Sequence, residues 1–435
     1  MKKITKLLFL LLAAVFMISC FAACDDEADT GKEVQEEEEK ESGGAEHNDE
    51  SANEEVTTVE ITEVPEVTSE GLEFTSNKDG TCYVSGIGTC TDSHIIIPSV
   101  SPAGDTVIAI GKYSFSQAES ITNVTIPSTV KSIGENAFNK CTALTEIVIP
   151  DTVTELGADI FNSCSSLTKV TLPDSLTVIP ESMFEKCVLL SDFVFPSKTE
   201  TVSESAFFGC TSLKKVDLPA TVKNLDNCAF LACSSLSEII LPEGLTRIGT
   251  YTLSECSALN NIALPSTLTE LDRGAFSKTP ITVIVIPDKV TVIEKYVFSH
   301  CTSLKKVTLS NAAVSIGHLC FSECSALEEI IIPDSVTTIE KSAFKDCTSL
   351  SKVVLGSGIQ IIEESAFESC SSLTEFKFGK SLKSLGKYAL RYCENITKVY
   401  YDGTKADWLK IDRGISWAKN LNITGVQCSD GEASK

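Results

Sequence analysis

Cysteine returns every 23 residues along most of this chain: Cys141, Cys164, Cys187, Cys210, Cys233 and Cys256, then Cys301, Cys324, Cys347, Cys370 and Cys393. Ala118 and Thr279 hold the same slot, which gives thirteen repeats. Three residues before the slot stands Phe, from Phe115 and Phe138 to Phe367, with Leu253 and Leu390 as substitutes. Three residues after it stands Leu (Leu144, Leu167, Leu190, Leu213), then an alternating segment and usually Pro. A fixed period of this size admits few folds. One repeat is too small to bury its own apolar face, so repeats must stack and share a continuous core. The chain reads as a solenoid.

Each slot has a physical reason. In the second repeat Ile147 and Ile149 alternate with Glu146 and Val148, the period of a strand with one buried face. Pro150 then ends the strand, because it has no N–H to offer the next coil. A second apolar pair, such as Val130 and Ile133, carries the chain along the opposite side. Gly134 to Phe138 then form a turn or short helical piece with Ala137 and Phe138 inward. At about 4.8 Å per coil, thirteen coils make a column roughly 60 Å long. Coil eight, through Thr279-Pro280-Ile281, is one residue short and marks a local irregularity.

The pattern Ile133-Gly134-x-x-Ala137-Phe138-x-x-Cys141-x-x-Leu144 resembles the BspA-like leucine-rich repeat family of bacterial surface proteins. The fold class is thus a leucine-rich repeat solenoid of about thirteen 23-residue coils, β-rich, with short turns or helical pieces on the convex side and caps at both ends. The resemblance covers about residues 71 to 428. It implies export and, for some members, adhesion to proteins of a host or of neighbouring cells.

Charge divides the chain further. The 36 Lys+Arg and 60 Asp+Glu give a net charge of −24, which argues against nucleic acid as a partner. Lys2, Lys3 and Lys6 precede the apolar run Leu7 to Ile18, and small residues follow, as in an export signal. Ala22-Ala23-Cys24 resembles a bacterial lipobox, with Phe21 where that family prefers Leu; Cys20 is the alternative lipidation site. From Asp25 to Glu70 there are 19 acidic residues and two basic ones, the composition of a disordered, charge-extended tether. The organisation expected is a lipoprotein signal peptide over 1–23, the tether over 24–70, an N-terminal cap over 71–110, the solenoid over 111–401, and a C-terminal cap and tail over 402–435. Trp408 and Trp417 both fall in the last segment, where a capping role is expected of Trp408.

The cysteine ladder points into the core, where free Cys serves as a small hydrophobe. An in-line ladder would ask each sulfur to choose between two neighbours, so free thiols are expected. Cys82 and Cys90 flank a candidate hairpin and are the best-placed disulfide pair. No Cys-x-x-Cys pair occurs, and neither a metal nor a cofactor is expected. Elbow, zinc-protease and phosphate-loop motifs are missing, and Ser-x-x-Lys matches recur by chance in a Ser- and Lys-rich repeat. His300 and His318 stand on separate coils as turn residues, so an enzyme is not expected.

Two outward ladders remain on the strand side. One reads Thr125, Val148, Thr171, Val194, Asp217, Ile240, Ala263, Val285, Thr308, Ile331, Val354, Lys377, Tyr400, a mostly β-branched and apolar stripe. Such a stripe means a partner or a cover, or simply residues that suit a long sheet. The other reads Glu146, Lys169, Asp192, Lys215, Glu238, Asn261, Val283, Lys306, Glu329, Lys352, Glu375, Lys398; its signs alternate strictly on both sides of Asn261 and Val283. Opposite charges across adjacent strands stabilise by roughly 0.2–1 kcal/mol per pair and fix the register. The segment from Val194 to Ile331 is the expected contact region, for an extracellular protein or a glycan. The competing expectation is a structural envelope component without a specific ligand.

Overall fold

The computed structural model describes residues 67–435. The leader, the lipidation candidates Cys24 and Cys20, and tether residues 24–66 lie outside the described residues. Among the described residues no helix is long and apolar enough to cross a membrane.

Residues 67–435 wind into a column of about fifteen turns with parallel strands on two sides. On the first side, three-residue strands stack in register: Glu146 pairs with Lys169, Ile147 with Val170 and Val148 with Thr171. On the second side, two-residue strands do the same, as Ser315–Ile316 does with Thr338–Ile339. The alternation of apolar and polar residues dictates the placement. Ile147 and Ile149 are buried, whereas Glu146 and Val148 are exposed.

The third side, from Gly134 to Lys140 in the second repeat, is not helical. Asn136 and Lys140 both adopt left-handed backbone, with φ of 59° each, and the pair of left-handed positions returns in later turns, as at Ser342 and Asp346. Left-handed backbone costs a non-glycine residue roughly 1–2 kcal/mol. Ladder bonds offset that cost: the N–H groups of Asn136, Phe138 and Lys140 donate to the carbonyls of Ala158, Ile160 and Asn162 at 2.9, 3.0 and 2.8 Å. All three sides of the column are therefore hydrogen-bonded turn to turn.

The core is a file of rings. Phe115, Phe138, Phe161 and Phe184 stack with centroids 5.3–5.8 Å apart and planes within 10° of parallel. A second file runs through Phe276, Phe298, Phe321, Phe344 and Phe367. Leu253 takes the same slot between the two files and is fully buried.

The coil count exceeds the thirteen expected, because both end segments continue the winding. His94–Ile96 pairs in parallel with Asn123–Thr125, placing Ile95 and Ile97 in the core. At the far end Trp417 fills the Phe slot, and Leu390 N–H donates to its carbonyl at 2.8 Å. Antiparallel strands then close the column. Glu73–Ser76 lies against Thr81–Gly86, and Gly431–Ser434 against Gly425–Cys428. Such covers protect edges that would otherwise recruit another strand. Trp408 is fully buried beneath the second cover, and its indole Nε1 donates to the Ser434 carbonyl at 3.1 Å.

Candidate binding face

The three-residue strands put two side chains per turn into solvent and one into the core. The apolar stripe expected from the sequence is exposed from Val148 to Lys377, with Val194 at 84%, Val285 and Ile331 at 58% and Ile240 at 44%, and half-buried at its ends, Thr125 and Tyr400. Asp217, Ala263 and Thr308 are exposed between them. The charged ladder runs beside it. Lys215 meets Glu238 at 3.0 Å and Lys352 meets Glu329 at 2.6 Å, each across one turn. Pairs this exposed add little stability; their alternation fixes which turn faces which.

The strand ladder on this face is interrupted at Asp192–Val194, at Asn261–Ala263, and between Lys352–Val354 and Glu375–Phe378. Two interruptions share a feature. Phe193 and Phe195, and again Phe376 and Phe378, fill both buried strand positions, where the other turns between residues 123 and 355 use Val, Ile or Leu. Phe193 packs against Phe184 and Phe207 at 5.2 and 4.9 Å, whereas Glu375–Phe378 still pairs along its length with Lys398–Tyr401 on its other side. The third interruption adjoins the turn that is one residue short.

The ladder cysteines are buried free thiols. Each Sγ–H donates to the carbonyl of the slot Phe one turn back: Cys141 to Phe115, Cys164 to Phe138 and Cys347 to Phe321, all at 3.1 Å. The same carbonyl takes a second bond within its own turn, as Phe138 does from Cys141 N–H at 3.1 Å. The thiol is thus a core methyl-sized group that also satisfies a buried lone pair, which alanine cannot do. Burial pushes the thiols up, Cys141 and Cys256 to about 12. Cys82 and Cys90, the candidate disulfide pair, are free thiols here, and Cys82 Sγ faces the Asp105 carbonyl at 3.6 Å.

His300 lies between Ser299 Oγ at 2.8 Å and Glu323 Oε1 at 3.1 Å. Ser299 is buried, so its hydroxyl offers no surface nucleophile, and the trio ties one turn to the next. His318 is engaged elsewhere, through Nδ1 to the Lys341 carbonyl at 2.8 Å.

Two features escaped the repeat-based reading. Arg273 stands over the rings of Tyr251 and Tyr296, at 5.8 and 4.9 Å, and bridges the turns around the short coil. A cleft of about 510 Å³ opens near the C-terminal end between Lys380, Lys383, Tyr401, Asp402, Asp407 and Lys410. Lys410 pairs with Asp407 inside it and Asp402 with Lys377 beside it, both at 3.0 Å. The Tyr400-Tyr401-Asp402-Gly403 departure from the repeat was its only signal.

Parallel strands on two sides, a Phe–Cys core and 23-residue register define a leucine-rich repeat solenoid. Residues 108–237, 183–305 and 291–407 match the BspA type Leucine rich repeat region, in six copies. The chain belongs to that family. A leucine-rich repeat protein from Bacteroides ovatus has a similar fold, with 22% identity over 83% of this chain and 94% of its own and a TM-score of 0.55. A leucine rich cell surface protein from Faecalibacterium prausnitzii is 22% identical over 80% of this chain and 97% of its own, with a TM-score of 0.45. The pneumococcal vaccine antigen PcpA is 16% identical over 82% and 97%, with a TM-score of 0.45. No curated protein matches the chain.

Proposed function

We propose that this protein is a lipid-anchored cell-surface scaffold that binds an extracellular protein or glycan through the strand face of its column. The observation that carries this reading is the row of exposed β-branched and apolar side chains from Val194 to Ile331, on a chain whose core is otherwise closed. Solvent-facing apolar rows of this extent mark contact surfaces, and solenoids use such extended faces for binding. The repeat family is a scaffold family, and the N-terminal leader supports export.

The test is capture of surface components from host or neighbouring cells. Ile240→Glu combined with Ile331→Glu is expected to weaken saturable binding roughly tenfold or more. Both side chains point outward, so thermal unfolding should move by only a few degrees. Binding unchanged by the pair, together with an altered envelope phenotype on deletion, would favour a structural envelope role instead. For the anchor, Cys24→Ala is expected to release the protein from the membrane fraction or leave its precursor uncleaved. Retention in that variant and in Cys20→Ala would exclude lipidation at either site.

A further inference from the structure

We propose that the partner of the strand face is a second copy of the same face, with the two columns antiparallel. The proposal rests on the reading of this face as a contact surface and adds what it contacts. The charged ladder carries the argument. From Glu146 to Lys398 it has twelve positions, and its midpoint falls between Asn261 and Val283. Reading outward from that midpoint, one arm gives Glu238, Lys215, Asp192, Lys169, Glu146 and the other gives Lys306, Glu329, Lys352, Glu375, Lys398. Every position on one arm has the opposite sign to its counterpart on the other.

A two-fold axis that lies in the interface, parallel to the strands and through that midpoint, superposes the two arms. It keeps each residue's place along its strand and reverses the order of turns. Glu238 then faces Lys306 of the second copy, Lys215 faces Glu329, Asp192 faces Lys352, and symmetry makes every contact twice. The apolar stripe meets itself in the same operation. Ala263 faces Val285, Ile240 faces Thr308 and Val194 faces Val354, all exposed in the single chain. Parallel columns in register would set each charge against its own kind, so the alternation selects the antiparallel pair. Asp217 against Ile331 is the poor match, and Asp217→Val is expected to tighten the pair.

The shared face spans roughly 55 Å by 10–15 Å, on the order of 600–800 Å² on each copy, the lower end of specific interfaces. That size fits a reversible dimer of micromolar strength. The two copies of residue 67 lie at opposite ends of such a pair.

Sedimentation of the chain from Asp25 to Lys435, between about 1 and 100 µM, is expected to show a monomer–dimer equilibrium that weakens with salt. Glu238→Lys alone and Lys306→Glu alone should each weaken it roughly tenfold, because each places two like-charge pairs in the interface. An equimolar mixture of the two variants should dimerise again, and so should the chain carrying both changes. Within one chain those two changes only add like-charge neighbours, Lys215 and Glu329, so recovery reports the contact between copies. A chain that stays monomeric to 100 µM, a mixture that does not recover, or a dimer indifferent to these changes overturns the homotypic pair. If the monomeric chain still captures a different surface component, and Ile240→Glu with Ile331→Glu abolishes that capture, the binding face stands and only the choice of partner falls. If neither dimer nor capture is seen, both readings fall.

Discussion

Replacing Phe298 by alanine is expected to lower the unfolding free energy by about 3–5 kcal/mol, the usual cost of emptying a ring-sized site in a core that relaxes little. Phe298 is fully buried, and its ring stacks on Phe276 at 5.7 Å and on Phe321 at 5.3 Å. Its position adds a second effect. The file of rings is already interrupted at Leu253, and the turn through Thr279 is one residue short. With Phe298 gone, Phe276 loses its stacked neighbour next to that interruption. Because repeats are coupled only to their neighbours, a weak interface can split unfolding into separate steps. Urea unfolding of Phe298→Ala should therefore broaden or divide, and amide exchange should accelerate between residues 256 and 305. Phe344→Ala, placed within an unbroken run between Phe321 and Phe367, should cost as much and leave one cooperative transition. Equal, undivided transitions in both variants would show that the short turn is no weaker than the rest.

The parts of this architecture that were legible in the sequence are those tied to period and volume. Phe138, Cys141 and Leu144 recur at fixed spacing because each turn offers the same three core sites, and a site of fixed size accepts few residues. The end turns were not legible as turns for the complementary reason. Lys405–Trp408 forms a helical turn that lengthens the last coil, so Trp417 reaches the Phe slot 27 residues after Leu390 and outside any 23-residue count. The left-handed positions were equally hidden. Asn136, Lys140, Ser342 and Asp346 share no residue type, since the conformation is imposed by bonds to the next turn and not by glycine. The breaks beside Phe193 and Phe376 coincide with paired rings, a pattern whose effect on the ladder periodicity alone does not give. On the binding face, the outward ladders were read directly because a strand of period two leaves no choice of side. The cleft beside Tyr401 depends on how the last turn departs from the repeat, which periodicity cannot supply.

Raising the pH from 8 to about 10.5 is expected to unfold the column, and the cause is the cysteine ladder. Burial raises the ladder thiols from Cys141 through Cys370 above the ordinary thiol value, Cys301 to about 11 and Cys256 to about 12. The sign follows from proton counting. Below the unfolded thiol value both states keep the proton and pH has no effect. Above it the unfolded chain loses protons that the folded core retains, so stability falls as pH rises until the folded value is reached. At pH 10 each such thiol costs about 2 kcal/mol, and the ladder together costs on the order of 10–20 kcal/mol, at least the whole stability of many domains. Circular dichroism against pH should show a steep, cooperative loss of strand signal. Replacing Cys164 and Cys210 by alanine separates this from tyrosine and lysine titration. Each change should cost about 1–2 kcal/mol at pH 7, through the lost thiol bond to the Phe138 or Phe184 carbonyl and the small void left behind, yet make the alkaline slope shallower. Alkylation provides an independent check at pH 8, because a thiol reacts as thiolate. Among the described residues, labelling of the folded chain should be confined to cysteines outside the ladder, with the half-buried Cys228 the most accessible, while the ladder stays unlabelled until the column is denatured. Ladder thiols that label readily in the folded state, or an alkaline slope unchanged by the two alanines, would show that the cysteines are not held as this packing requires.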